Sequence, residues 1–190
     1  MADSYPWPSN VVNGKQLKIA MSGSLPANGW LPALKAAIQF FNDEMSNKKV
    51  ALRFVMLDEP TNAHVVLTGV PGNGIHGNAE LALGSRRGQE FLSGVTIKVP
   101  ATPRVRQLDP SSRITGDGVK TCILVHEMIH GLGLDNSQHT PGDIFSKEFQ
   151  LIDKGSAALD KVQWDASSPS MPPPVINGVT LKKIRSVWTA

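Results

Sequence analysis

Residues 126–130 read His-Glu-Met-Ile-His, an HExxH spacing in a stretch with helical periodicity. Two histidines four apart share a helix face, with their Cβ atoms about 5–6 Å apart. Both imidazoles can therefore meet one zinc ion, at about 2.0–2.1 Å each. Glu127 follows the first histidine and can stand beside the metal without ligating it. Zinc lowers the pKa of water that it binds from about 15.7 towards about 7. A neighbouring carboxylate can take that proton and pass it to a leaving amine, while the metal polarises a carbonyl and holds the oxyanion that develops. The competing account of the five residues is an amphipathic helix with two surface histidines. Three features count against it. Residues 121–125, Thr-Cys-Ile-Leu-Val, carry no charge and are mostly apolar, Gly133 follows His130 by three, and His139 lies in an irregular stretch beyond. Three of the five histidines thus fall between 126 and 139, where one metal could gather them.

This pattern resembles that of the metzincin clan of zinc metallopeptidases, HExxHxxGxxH followed later by a methionine-containing turn. The matching residues are His126, Glu127, His130 and Gly133. The resemblance implies that the glycine lets the chain leave the helix sharply and bring a third ligand under the metal. One position departs from the family. Asn136 stands where the third histidine belongs, so the chain reads HExxHxxGxxNxxH. A neutral amide is a poor zinc ligand. A slightly longer loop is expected to deliver His139, with Asp143 as the next choice, and Asn136 to brace the turn. Met171, in Ser-Met-Pro-Pro-Pro, looks like the methionine turn beneath the metal; a methionine in a proline-rich surface loop is the alternative. A gluzincin-type site would instead take Glu148 as third ligand, 18 residues after His130 on an expected helix. By resemblance to matrixins, residues 79–84 form the free sheet edge on which an extended substrate adds a strand. His76, in a glycine-rich stretch, could hold a second, structural metal in the same way. No EF-hand spacing occurs.

The elements that must position these residues follow from periodicity and punctuation. Residues 1–14 are polar and proline-rich and are expected to be an extended arm. Strands are expected at 16–21, 51–57, 64–67, 80–83 and 94–99. A helix is expected over 30–45, with Pro32 in its first turn, and a second over 119–132, stopped by Gly133. Residues 144–159 read as helical, 167–174 as a proline-rich turn and 180–188 as a closing helix. The order predicts an α+β fold, metzincin-like by resemblance. Residues 15–190 make one catalytic domain. Its N-terminal lobe, about 15–133, is a twisted mixed sheet with two helices. Its C-terminal lobe, about 134–190, is small and irregular and ends in a helix.

Composition narrows the function classes. The net charge of +3 is mild, and basic residues occur in pairs such as Lys48–Lys49, Arg86–Arg87 and Lys182–Lys183 but in no long block. A nucleic-acid partner is not expected. No apolar run approaches the roughly 18–20 residues that span a bilayer, and the first residues lack the basic start and apolar core of a Sec signal peptide. These two features leave the location open between the cytoplasm and export by a non-Sec route, and a monomer is expected. The single cysteine, Cys122, excludes an intramolecular disulfide and a cysteine-based zinc cluster. The expected function is a zinc endopeptidase acting on proteins or peptides. A non-catalytic binding protein on the same scaffold and a zinc hydrolase of non-peptide amides compete with it. An intact Glu127 counts against the former, because a dead site has no need of a base.

Overall fold

The computed structural model describes residues 5–23, 25, 27–72, 77–104, 111, 114–134, 149–152, 162–165 and 175–188. In chain order these form α1 (Ser9–Gly14), β1 (Gln16–Met21), α2 (Ala27–Asn47), β2 (Arg53–Met56), a 3-10 turn (Pro60–Asn62), β3 (Val65–Val70), β4 (Asn78–Arg86), β5 (Gln89–Pro100), α3 (Asp117–Gly131), β6 (Phe149–Ile152), β7 (Val162–Asp165) and α4 (Gly178–Trp188). The fold class is α+β, as expected.

Five strands make one mixed sheet in the order β2-β1-β3-β5-β4. β1 runs parallel to β2 and β3, and β3 runs parallel to β5. Parallel neighbours need a crossover, and α2 supplies the one between β1 and β2. β4 returns antiparallel along β5 through a tight hairpin in which Arg87 and Gly88 take positive φ. β4 therefore ends the sheet, and no other described strand pairs with its outer side. Both hairpin strands are longer than expected. The sequence there is polar and carries arginine and glycine, so its apolar alternation fades before the ladder does.

Leu17, Ile19, Phe54, Val65, Leu67, Val95 and Ile97 from the sheet meet α2 and α3 in one continuous core. α2 buries Trp30, Ala33, Leu34, Ala37, Phe41 and Met45, an apolar stripe of helical period. It starts at Ala27, so Pro32 lies inside the helix and not in its first turn. Tertiary bonds account for the extension. The buried Trp30 indole donates to Pro100 O at 3.0 Å, and Lys120 Nζ donates to Gly29 O at 2.6 Å. These bonds hold the turn ahead of the proline.

Two expectations need correction. Residues 1–14 are not simply an extended arm. Residues 9–14 form α1, and Trp7, Val11 and Val12 are buried in the core. Prolines at 6 and 8 masked this, because they suggest exposure while the apolar side chains beside them find the core. Likewise, residues 144–159 are not one helix, since 149–152 is strand β6, paired parallel with β7. The sequence of β7, Val-Gln-Trp-Asp, alternates with period two and offers the partner that helical periodicity in one segment cannot reveal. α4 matches its expected bounds within two residues. Asn177 Oδ1 accepts from Val179 N and Thr180 N and so caps its start. Among the described residues no helix is long and apolar enough to cross a membrane.

Candidate metal centre

α3 carries the chemistry-bearing residues. Gly116 precedes it, Asp117 sits in its positive first turn, and Lys120, with a side chain only 8% exposed, bonds back to Asp117 Oδ1 at 2.6 Å. Its apolar side, with Val119, Leu124, Val125, Met128 and Ile129, faces the core. His126 and His130 are half-buried on the other side, with ring centroids 5.1 Å apart and planes at 76°. Residues Gly77, Asn78, Ala79 and Leu81 at the start of β4 stand opposite. Together with His126, Glu127 and His130 they enclose a cleft of about 230 Å³. A larger and more open cleft of about 420 Å³, around Lys15 and Arg53, has no histidine, cysteine or carboxylate in its lining. It offers no acid–base chemistry.

His130 Nδ1 lies 2.8 Å from Leu134 O. A carbonyl only accepts, so Nδ1 carries the proton and Nε2 keeps the lone pair that a metal needs. The Leu134 carbonyl thus fixes both tautomer and ring orientation. The turn bearing Leu134 is itself held. Trp7 Nε1 donates to Gly131 O at 2.9 Å, Trp188 Nε1 donates to Leu132 O at 3.2 Å, and Tyr5 N donates to Gly133 O at 3.0 Å. These carbonyls at the end of α3 would otherwise lack helical partners. Both ends of the chain thereby brace the C-terminus of the histidine helix. Replacing Trp7 with phenylalanine keeps an aromatic ring, though a smaller one, and removes the donor to Gly131. The expected cost is about 1–3 kcal/mol in urea unfolding, because a buried acceptor is orphaned. A loss below about 0.5 kcal/mol would show that the bond has no such role.

Glu127 is 4% exposed, and burial pushes its carboxyl up to about 7; the backbone N–H of Ala79, donating to the carboxylate, acts in the opposite direction. A carboxylate poised near neutrality suits a general base. Cys122 is buried and its thiol is pushed up to about 12 by desolvation, so it is inert packing. His64 is structural. Its Nδ1 accepts from Lys18 N at 3.1 Å, and its ring packs 5.5 Å from Trp7.

The structure therefore brings together three residues singled out in the sequence, His126, Glu127 and His130. Gly133 sits at φ +96° where α3 ends, as a left-turning exit requires. His76, Asn136, His139, Asp143, Glu148 and Met171 lie outside the described residues. Of the helix expected over 144–159, residues 149–152 are strand β6. Among the described residues no three histidines, cysteines or carboxylates gather as a complete metal set. The pair that is present fits two ligands of a metal: adjacent imidazoles on one helix face, one with its tautomer fixed, beside a buried carboxylate.

Sequence reading missed the Ala79 amide, the close approach of Gly77 to Glu127, the Leu134 carbonyl and the two indoles. Three of these act through backbone atoms or a missing side chain, which leave no mark of residue type. Only the tryptophans near the two ends gave a signal. No family model and no curated protein matches this chain.

Proposed function

We propose that this chain is a zinc-dependent endopeptidase of metzincin-like organisation. The observation that carries this reading is the cleft between α3 and the outer strand β4. There His126, His130 and a buried Glu127 with a carboxyl near neutrality face a sheet edge that no described strand pairs with. His126 and His130 would hold the metal, with His139 as the third ligand. A zinc ion held there would supply Lewis acidity, lowering the pKa of bound water and polarising the scissile carbonyl. Glu127 accepts the proton released as water adds to the carbonyl carbon, and returns it to the amide nitrogen as the C–N bond breaks. Extended peptide pairs with the outer side of β4, whose backbone groups give affinity without demanding a particular sequence. The same ligands would serve a hydrolase of other amides, but a nine-residue strand edge beside the site favours a polypeptide.

Metal analysis joined to hydrolysis of casein or mixed peptides tests the reading. The wild type is expected to hold one zinc per chain, to lose cleavage to a chelator and to regain it with zinc. His139→Ala should weaken zinc binding by more than about 100-fold, beyond the usual cost of losing an outer support, whereas Glu148→Ala should leave it unchanged. A chain that binds zinc and cleaves no amide is a binding protein, and one that binds no zinc refutes the proposal outright.

A further inference from the structure

The wall opposite α3 does more than close the cleft, because it touches the base. A Cβ added to Gly77 would stand 2.6 Å from Glu127 Cγ, 2.8 Å from Oε1 and 2.9 Å from Cδ. No side chain fits there unless the carboxylate moves. Two residues along, the Ala79 N–H donates to the same carboxylate. That N–H belongs to no ladder of the sheet. In an antiparallel strand, residues two apart present their backbone groups to the same edge. Ala79 and Leu81, opposite Ile97 and Val95, therefore both turn their N–H groups outward. One carboxylate oxygen can take the Ala79 amide and still leave acceptor capacity for a proton from water.

We propose that Gly77 and the Ala79 amide form a seat at the edge of β4 that no described strand covers, a seat that positions Glu127, so that a bound peptide pairs with β4 from Leu81 onward. The seat rests on the endopeptidase reading for its consequence but not for its existence. Burial strips the carboxylate of hydration, and a fixed N–H replaces part of it in one direction only. The base is thereby aimed before substrate arrives. Because the Ala79 amide is already taken, a substrate carbonyl cannot use it, and this sets where the peptide must begin to pair. Gly77 and Ala79 are positioning residues, acting through Glu127.

Proline scanning of this edge separates the roles. An outward N–H on an edge strand can be deleted without breaking the sheet. Ala79→Pro should lower kcat about tenfold or more while KM and zinc content hold, the pattern of a group needed only in the transition state. Gly77→Ala should do the same by displacing the carboxylate. Leu81→Pro should instead raise KM and leave zinc bound, since it removes a pairing group. An Ala79→Pro protein that changes KM and not kcat overturns the seat. Amide hydrogen exchange in the metal-free protein supplies an independent readout. The Ala79 amide should be protected in wild type and exchange about tenfold faster in Glu127→Ala, while the Leu81 amide is unaffected. Equal Ala79 exchange in both proteins overturns the proposal whatever the activity. If wild type cleaves nothing, the exchange result still decides the seat, and only the endopeptidase reading fails.

Discussion

A Glu127→Gln protein is expected to keep its metal and lose peptide hydrolysis by roughly 10²–10⁴-fold, the range general acid–base catalysis supplies. The amide is nearly isosteric, its oxygen can still accept from the Ala79 N–H, and neither histidine is touched. What disappears is the capacity to take a proton. The loss should fall on kcat, and residual activity within tenfold of wild type would remove Glu127 from the role of base. The same substitution should raise stability when no metal is present. The folded carboxyl is lifted to about 7 by burial, whereas in the unfolded chain it titrates near its ordinary value, about 4.3. The folded state therefore holds the proton more tightly. Stability is undiminished below the unfolded pKa, falls as pH rises through the window up to about 7, and then levels off. The full penalty is about 4 kcal/mol, from about 1.4 kcal/mol per unit. Glutamine carries no charge and escapes it. Metal-free Glu127→Gln should match wild type near pH 4 and exceed it by up to about 4 kcal/mol at pH 8, read from urea unfolding at both pH values. Equal stabilities at pH 8 would mean that the buried carboxylate is better compensated than its surroundings suggest. Such a cost, maintained at the residue proposed as the base, is what a functional site leads one to expect.

How much of this was legible in the sequence depends on the kind of information each element carries. The sheet strands β1, β3 and β5 and the helices α2, α3 and α4 announce themselves because their apolar residues recur with the period of the element. The HExxH spacing is equally plain, since residue type and helical geometry together place His126, Glu127 and His130. The failures share a cause. α1 hides just behind two prolines, and the burial of Val11 and Val12 that goes with this short helix is invisible to local pattern. The strand pair of β6 and β7 depends on pairing between distant segments, which local periodicity cannot show. The turn after α3 is held by backbone carbonyls at Gly131, Leu132, Gly133 and Leu134, and every residue has a carbonyl. The identity of the partners, Trp7 and Trp188, becomes meaningful only once the chain ends are seen to converge on α3.

Gly133→Ala tests that convergence, and it is expected to destabilise the protein by about 3 kcal/mol or more. Three penalties fall on one methyl group. The residue sits at φ +96°, where a side chain strains the backbone by about 1–3 kcal/mol. The new Cβ would lie 2.2 Å from Tyr5 O, and a backbone atom cannot rotate away as a side chain can. Relief requires the segment from Tyr5 to Trp7 to move. That movement threatens the Tyr5 N to Gly133 O bond, the Leu92 N to Pro6 O bond and the Trp7 indole bond to Gly131. At about 2–4 °C per kcal/mol for a chain of this size, the melting temperature should drop by about 6–12 °C. The damage should also reach the metal. Leu134 follows directly, and its carbonyl orients the His130 ring, so zinc affinity should fall by about 10–100-fold even though no ligand has changed. Deleting residues 1–7 from the Gly133→Ala protein removes the obstacle and separates the effects. If the collision with Tyr5 dominates, the substitution should cost far less in the truncated chain than in the full one; if the cost is the same in both, backbone strain alone accounts for the glycine, and the N-terminal segment is not what holds the end of α3 in place.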